Sequence, residues 1–291
     1  MALLQETWQG EAKEAFEYCR RLALSHYENF SIASWLLPRH LRPHMYAVYA
    51  YCRGVDDLGD EAAGDRLALL NEWEEELWRA YEGKARHPIF IALQETIRRF
   101  QIPPEPFLKL IEANRMDQRQ TRYRTYSQLL HYCDHSANPV GRIVLHLFGY
   151  RDEVRGKLAD ATCTGLQLAN FWQDVSVDLA KGRIYIPLDE MEQFGYSESD
   201  LLARRYNRRF QALMAFQVER ARKLLWEGMG LVPLIRGRLR FDVKLFNLGG
   251  LAILDAIEAI EYDVLHIRPT LSPFRKALIA FRGLFPVRRR A

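Results

Sequence analysis

Residues Met45–Glu61 read MYAVYAYCRGVDDLGDE, an aromatic and apolar run that turns abruptly acidic. Asp56 and Asp60 are four residues apart, as are Asp57 and Glu61, so each pair shares one face of a helix. Like charges at this spacing cost roughly 0.2–0.5 kcal/mol per exposed pair. Partial burial raises that cost unless a cation neutralises the charge. The segment therefore predicts a helix that ends in a cation-binding acidic face.

A second stretch, Leu166–Pro187, places carboxylates on another apolar helix and reads LQLANFWQDVSVDLAKGRIYIP. Asn170, Asp174 and Asp178 follow one another at i, i+4 and i+8, so we expect them on one face of a single helix. Oxygen ligands without His or Cys suit Mg²⁺, which keeps several waters and takes phosphate oxygens as further ligands.

Either acidic motif alone is weak evidence, because most such pairs lie on a solvated helix face. Two of them, each joined to an aromatic helix, favour a metal site. Gly182 is expected to end the second helix. Lys181 and Arg183 beside it can serve the helix C-terminus or a phosphate. The aromatic run Tyr46–Tyr51 is ordinarily core packing, and gains a functional meaning only beside a carbocation, which aromatic faces stabilise.

The rest of the chain also has helical periodicity. Glu11–Ser25, Arg66–Glu82 and Tyr206–Glu227 repeat apolar residues at helical spacing. Prolines separate the segments, and Pro106 suits a first helical turn. The sequence lacks the turn signals of β-hairpins, internal repeats and Gly/Ser linkers. These features predict one large all-α domain over residues 1–291.

Composition limits the function classes. A net charge of +4 on 291 residues, without a recognisable basic module, does not indicate nucleic-acid binding. The four cysteines lack zinc-site spacing, and no signal peptide or membrane-spanning run is visible, which predicts free thiols in the cytoplasm. The basic tail, residues 273–291, alternates Phe and Leu with Arg and Lys. It predicts either an interfacial helix on the inner face of the membrane or a helix packed on the protein body.

Five blocks in order along the chain resemble the squalene/phytoene synthase family, the head-to-head branch of trans-isoprenoid synthases. They read HYENFSIASWLLP, YAVYAYCRGVDDLGDE, LIEANRMDQRQTRY, YCDHSANPVG and LQLANFWQDVSVDLAKGRIYIP, and the match runs from His26 to Arg268. The resemblance implies an all-α isoprenoid-synthase fold with a central cavity. It also implies Mg²⁺-dependent ionisation of a prenyl diphosphate held between the two aspartate-bearing helices.

Residues that match the family's motifs receive implied roles. The implied Mg²⁺ ligands, which would bridge to the diphosphate, are Asp56, Asp60, Asn170, Asp174 and Asp178. The implied contacts to the diphosphate or the substrate are Tyr49, Arg53 and Arg268, and Arg183 is added from its place beside Gly182. A small kinked segment that lets a prenyl chain pass is implied at Ala137, Val140 and Gly141.

Within the family, the chain is similar to the hydroxysqualene synthases of bacterial hopanoid biosynthesis. Asn29-Phe30 stands where many relatives have Ser-Phe, and SANPVGR (Ser136–Arg142) replaces an Ala-Gly-x-Val-Gly pattern. Relatives that condense two allylic diphosphates often carry Lys and Ser at positions 28 and 29, where this chain has Glu28 and Asn29. The resemblance implies an enzyme that takes presqualene diphosphate, captures the rearranged cation with water and needs no nicotinamide cofactor. A presqualene diphosphate synthase that hands on its product is an implied partner.

Other functions remain open from the sequence. Inside the family these are presqualene diphosphate, squalene and phytoene synthesis. A helical Mg²⁺-dependent nucleotide pyrophosphatase also uses acidic helix pairs, although such sites are usually Glu-rich and do not need the run Tyr46–Tyr51. A non-catalytic helical protein descended from the family is disfavoured because both aspartate pairs are intact.

Overall fold

The computed structural model describes residues 10–25 and 38–285, which form helices joined by turns and contain no β-strand. The all-α prediction is confirmed. Contacts divide the chain into two units, unit 1 with Met1–Arg119 and Arg142–Arg151, and unit 2 with Gln120–Gly141 and Asp152–Ala291. The expectation of a single domain over the whole chain stays a prediction.

Unit 1 is built around a central helix that carries the first acidic motif. Its described helices are α1 (Glu11–Ser25), α2 (Arg42–Asp60), α3 (Arg66–Tyr81), α4 (Pro88–Phe100) and α5 (Glu105–Asp117). Tyr51 of α2 is fully buried, and its hydroxyl donates to the Phe107 carbonyl of α5 at 2.9 Å. A Cβ at Gly54 would lie 2.5 Å from the Trp73 ring of α3, so glycine here lets α2 and α3 pack closely.

Unit 2 packs long helices around small residues. Its described helices are α6 (Tyr126–Ser136), α7 (Asn138–Leu147, which contributes to both units), α8 (Glu153–Gln173), α9 (Val175–Ala180), α10 (Leu188–Gln193), α11 (Glu198–Leu202), α12 (Arg208–Gly228), a 3₁₀ helix (Met229–Leu234), α13 (Gly237–Ala259) and α14 (Pro273–Gly283). Leu225 of α12 fills the space at Gly165 of α8 and Gly250 of α13, where an added Cβ would lie 2.9 Å from its side chain. Glycine at both positions therefore allows the three helices to approach.

The observed helix bounds match the sequence pattern with small differences. α1 has the predicted bounds, and Pro106 lies in the first turn of α5 as expected. α12 begins at Arg208 rather than Tyr206, because the Asn207 side chain accepts the N–H groups of Arg209 and Phe210 and so caps the helix.

The second acidic stretch departs from the expected single helix. α8 ends at Gln173, α9 begins at Val175, and Asp174 between them has φ −105° and ψ 16°. The β-branched Val175 and Val177 that follow favour helix less than straight-chain residues do. The Asp174 N–H still donates to the Asn170 carbonyl at 2.9 Å, so the chain keeps its direction across the break.

Among the residues that the structure describes, none of the helices combines the length and apolarity that crossing a bilayer requires.

Candidate active site

The last turn of α2 presents the first acidic motif to solvent. The Arg53 guanidinium lies 2.6 Å from Asp57 Oδ1 and 2.9 Å from Glu61 Oε1. Arg53 therefore contacts both carboxylates of one acidic pair and offsets one of their two charges. Asp56 and Asp60, both exposed, form the other pair. The predicted contact of Arg53 with a diphosphate stays a prediction.

Many protein atoms surround the Asp56 carboxyl group, although the residue keeps an exposed surface. Burial of the group raises the pKa of Asp56 to about 6, and the nearby Asp60 charge raises it further. The Asn114 Nδ2 group of α5 donates to Asp56 Oδ1 at 3.3 Å and acts in the opposite direction. The surroundings of Asp56 thus disfavour its charged form. A cation bound to the carboxylate would stabilise that form.

The acidic end of α2 contacts two side-chain amides that the sequence reasoning missed, one from Asn114 of α5 and one from Gln118, which directly follows α5. Gln118 Nε2 donates to the Gly59 carbonyl at 2.9 Å. A Cβ at Gly59 would lie only 2.0 Å from Asn114 Oδ1, so glycine is required for the buried amide to reach Asp56. The signal was present in the block LIEANRMDQRQTRY, where Asn114 and Gln118 are four residues apart. Their partner on α2 is fixed only by the packing of the two helices.

The tyrosines of α2 have different environments. Tyr51 belongs to the core of unit 1, where its ring packs against Phe90 and Phe107. Tyr49 is half-buried, and its pKa is raised by burial while the neighbouring Arg53 opposes the shift. Its expected contact with the substrate stays a prediction.

The second acidic motif occupies the junction of α8 and α9 in unit 2. Arg268 forms a two-pronged contact with Asp174, from Nε to Oδ1 at 2.6 Å and from Nη2 to Oδ2 at 3.2 Å. Gln173 Nε2 donates to the Pro269 carbonyl at 2.6 Å. The segment that follows α13 is therefore tied to the point where α8 ends, and a predicted metal ligand contacts a predicted diphosphate ligand.

Asp178 lies one turn beyond Asp174 on the same side of the chain. Burial raises the pKa of Asp178 to about 6, and the Asp174 charge adds to the shift, while Lys181 and Arg183 oppose it. Asn170, one turn before Asp174, is exposed. The break at Asp174 separates Asn170 in α8 from Asp178 in α9, so the three predicted ligands do not lie on a single continuous helix, and their role as ligands stays a prediction.

Arg122 holds the turn that follows the second motif. Its Nη1 donates to the Gly182 carbonyl at 2.5 Å, and its Nε pairs with Glu198 at 2.8 Å. Gly182 has φ +73°, a left-handed conformation that glycine adopts at little cost. The turn therefore fixes the position of Arg183, which directly follows Gly182. Sequence reasoning named Gly182 and Arg183 but missed Arg122, which is distant in the chain.

Four buried aromatic rings pack behind the second motif. Phe171 of α8 and Tyr185 are stacked with centroids 3.8 Å apart and planes 9° from parallel. Tyr185 also contacts Tyr123 at 5.7 Å and Tyr132 at 6.0 Å between centroids. The cluster fixes α8 against residues 183–186, which follow the acidic motif.

The expected kink is present between α6 and α7. Ala137 separates the two helices, and Val140 and Gly141 lie in the first turn of α7. A Cβ at Gly141 would lie 2.7 Å from the Cys163 sulfur of α8, so only glycine fits there without a shift. Between them, the buried Asn138 accepts a hydrogen bond from the Thr164 hydroxyl of α8 at 2.8 Å. Glu28 and Asn29, by contrast, lie outside the described residues.

The two acidic motifs fit a hard divalent cation. Among the described residues, no three His, Cys, Asp or Glu side chains are grouped to hold a metal ion by themselves. Each motif instead offers two aspartate carboxyl groups. Burial and a neighbouring carboxylate raise the pKa of one of them, Asp56 in the first motif and Asp178 in the second, to about 6. This donor set suits Mg²⁺ with further oxygen ligands from water and phosphate.

Several known proteins are similar to this chain in sequence. Residues 24–275 match the family model described as squalene/phytoene synthase. The phytoene synthase of Arthrospira platensis is 34% identical, over 91% of each chain. The 15-cis-phytoene synthase of Synechococcus elongatus is 32% identical, over 90% of each.

Two crystal structures are similar in fold and in sequence. The squalene synthase HpnC of Alicyclobacillus acidocaldarius is 55% identical, with a TM-score of 0.85 over 87% of this chain and 96% of that one. A dehydrosqualene synthase is 26% identical, with a TM-score of 0.85 over 94% of this chain and 96% of that one. The family match covers most of the chain and includes both acidic motifs, so this protein belongs to the squalene/phytoene synthase family.

Proposed function

We propose that this protein is a hydroxysqualene synthase, which ionises presqualene diphosphate and captures the rearranged carbocation with water. The observation that carries the choice of a squalene-type over a phytoene-type enzyme is the 55% identity to the squalene synthase HpnC, against 34% to the phytoene synthase of Arthrospira platensis. The choice of water over hydride rests on the resemblance of Glu28, Asn29 and the Ser136–Arg142 segment to hydroxysqualene synthases. The Ser136–Arg142 segment supports it, because Asn138 stands where condensing relatives have glycine.

The acidic motifs are the proposed Mg²⁺ sites. Asp56 and Asp60 would hold the cation in unit 1, and Asp174 and Asp178, with Asn170, in unit 2. Mg²⁺ supplies electrostatic stabilisation of the charge that develops on the leaving diphosphate.

Cationic side chains of the protein stabilise the same charge, which develops on the leaving diphosphate. Arg53, Arg183 and Arg268 are the proposed diphosphate contacts. Arg268 would exchange Asp174 for a diphosphate oxygen, since both partners are bidentate anions that match the guanidinium fork.

The reaction consists of bond cleavage, rearrangement and capture. The C–O bond breaks, and diphosphate leaves with the electron pair. The cyclopropylcarbinyl cation rearranges, and a water oxygen adds to the new cationic carbon and loses one proton. Tyr49 is the proposed aromatic contact, and Ala137, Val140 and Gly141 provide the small surface along which the prenyl chain lies.

The decisive experiment incubates purified protein with Mg²⁺ and presqualene diphosphate without NADPH, with products identified by mass spectrometry. Hydroxysqualene formation supports the proposal. The Asp174→Asn variant is the control for Mg²⁺-dependent turnover, and circular dichroism confirms that it is folded. Squalene formed only when NADPH is added would instead show hydride capture.

A condensing synthase is the second candidate, favoured by the phytoene synthases among the curated relatives. A parallel incubation with farnesyl diphosphate or geranylgeranyl diphosphate tests it. Consumption of either substrate alone would move the protein to that class and contradict the interpretation of Glu28 and Asn29. Direct transfer of presqualene diphosphate from a partner enzyme stays a prediction.

A further inference from the structure

Helix α14 carries an apolar stripe on the surface of unit 2. Phe274, Leu278 and Phe281 follow at spacings of four and three residues, which places them on one helix face, and Phe285 lies two residues beyond the end of the helix. Phe274 is 77% exposed, Phe281 59% and Phe285 51%. Leu284 beside them is 66% exposed. Large apolar side chains concentrated in this way mark an interaction surface, unlike scattered exposed apolar residues.

Little of α14 is buried against the described part of the chain. Of its eleven residues, Gly283 is the one that is buried there, and a Cβ at that position would lie 2.7 Å from Leu245 of α13. Lys244 of α13 donates to the carbonyls of Gly283 and Phe285 at 2.8 and 2.9 Å, which caps the helix end. A helix this short is marginal in water without a packed apolar face. The stripe is therefore suited to a further partner.

Positive charge surrounds the stripe. Residues 264–291 contain no Asp or Glu, and residues 272–291 contain six Lys or Arg, more than the net charge of +4 on the whole chain. Within the described residues these cations are Arg275, Lys276 and Arg282. This charge favours an anionic partner and disfavours pairing of α14 with a second copy of itself, which would bring like charges together.

A groove continues the surface beside the end of α14. It has a volume of about 550 Å³ and runs between the 3₁₀ helix, the start of α13 and Leu284. Phe241 and Val232 give it apolar walls, and Arg240 and Lys244 give it positive charge. Apolar walls beside cationic side chains suit a phospholipid, whose acyl carbon would contact Phe241 and whose phosphate would lie near Arg240.

We infer that α14 and this groove form a docking surface for the anionic phospholipid bilayer. The phenylalanines insert into the interface, while the basic residues contact lipid phosphates. The surface does not depend on which prenyl diphosphate the enzyme uses.

The test is flotation of the full-length protein with vesicles of phosphatidylcholine containing about one third phosphatidylglycerol, at low salt. Pure phosphatidylcholine vesicles are the parallel sample. We expect binding to the anionic vesicles, at least tenfold weaker binding to the neutral ones, and release by 0.5 M salt, since the charge contribution is screened.

Two variants separate the apolar and charged contributions. Phe274→Glu combined with Phe281→Glu, and Arg240→Glu combined with Lys276→Glu, are each expected to lower vesicle binding at least tenfold. Leu202→Glu, at an apolar residue of α11 that is 57% exposed, is the matched control and should bind as the wild type does. Circular dichroism and turnover of detergent-solubilised substrate should remain at the wild-type level in all three.

Three outcomes overturn the inference. The first is wild-type protein that stays unbound with anionic vesicles. The second is a Phe274/Phe281 variant that floats as well as the Leu202 control. The third is light scattering that shows a dimer dissolved by the Phe274 and Phe281 changes, because the stripe would then be an interface between two copies.

Discussion

The Arg268 guanidinium makes a bidentate contact with the Asp174 carboxylate. Its Nε donates to Oδ1 at 2.6 Å, and its Nη2 donates to Oδ2 at 3.2 Å. Asp174 is a proposed Mg²⁺ ligand, and Arg268 a proposed diphosphate contact. Without substrate, the arginine competes with the cation for this carboxylate. With substrate, it gains an alternative anion, so the two proposed roles are linked.

Replacing Arg268 by alanine should separate metal affinity from turnover. Arg268 is half exposed, so its ion pair is weak, and its removal should tighten binding of Mg²⁺ alone by only about threefold. Turnover should fall by roughly 10²-fold or more, because a donor to the developing charge is lost. Calorimetry with Mg²⁺ and steady-state kinetics measure the two effects. The control is Arg222→Ala, which removes an arginine paired with Asp255 and should change neither the Mg²⁺ affinity nor the turnover. A loss of Mg²⁺ affinity as large as the loss of turnover in Arg268→Ala would argue against competition between Arg268 and Mg²⁺ for Asp174.

Removing one carboxylate from the first motif should remove the response of stability to Mg²⁺. Asp60→Asn takes away one of the two carboxylates that lie one helical turn apart, and should leave the free energy of unfolding in EDTA within about 0.5 kcal/mol of the wild-type value. The same change should abolish most of the stabilisation that Mg²⁺ gives the wild type. Chemical denaturation with and without Mg²⁺ measures both. The control is Glu72→Gln, on an exposed face of α3. A full Mg²⁺ effect in Asp60→Asn would remove Asp60 from the proposed ligands.

Gly59 should tolerate no side chain. Gly59→Ala places a Cβ 2.0 Å from Asn114 Oδ1, which forces the amide away from Asp56 and should cost about 1–3 kcal/mol of stability. The matched change Gly249→Ala, in α13, meets nothing within 4 Å. It should instead stabilise by up to about 1 kcal/mol, because alanine favours helix over glycine. Urea denaturation of the two variants distinguishes the clash with Asn114 from the general effect of replacing glycine by alanine in a helix. Equal stability of both would show that Asn114 adjusts freely.

Unit 1 should lose stability at mildly acid pH through His44. This buried imidazole packs edge-on against Phe16 and Phe100, and Thr96 Oγ1 lies 2.9 Å from its Nδ1. The Thr96 hydroxyl donates to the Ala92 carbonyl at 2.8 Å, so the neutral imidazole donates from Nδ1. Burial lowers the pKa of His44 to about 4 from 6.5, with the His40 charge adding to the shift.

Because the folded-state pKa lies below the unfolded value, stability is complete above pH 6.5 and falls as the pH drops towards 4. The loss amounts to about 3 kcal/mol at the lower limit. His44→Gln cannot ionise and should lose less stability between pH 7 and 4.5. Denaturation curves across this range test the difference, with His131→Gln on the exposed face of α6 as the control. Parallel curves for the wild type and His44→Gln would contradict the expectation.

Much of the site could be predicted from local spacing. Asp56 and Asp60, and Asn170, Asp174 and Asp178, were named because helical periodicity puts residues four apart on one side. The kink at Ala137 was implied by the resemblance of Ala137, Val140 and Gly141 to the family's small kinked segment.

Contacts between distant residues could not be predicted in this way. Arg122 at Gly182, Asn114 at Gly59 and Thr164 at Asn138 join positions 26 to 60 residues apart. Nothing in the local sequence states which surface a helix will pack against, because many pairings satisfy the same apolar pattern.

The sequence by itself determined the helical fold class, the family and the identity of the acidic motifs, since these depend on short-range spacing and ordered blocks. The tertiary structure decided the state of each charged group. It paired Arg268 with Asp174, buried the Asp56 and Asp178 carboxyls enough to raise each pKa to about 6, and left the apolar stripe of α14 exposed. The reason is physical, because burial and charge pairing depend on which groups packing brings within a few ångströms, and spacing along the chain does not fix those distances.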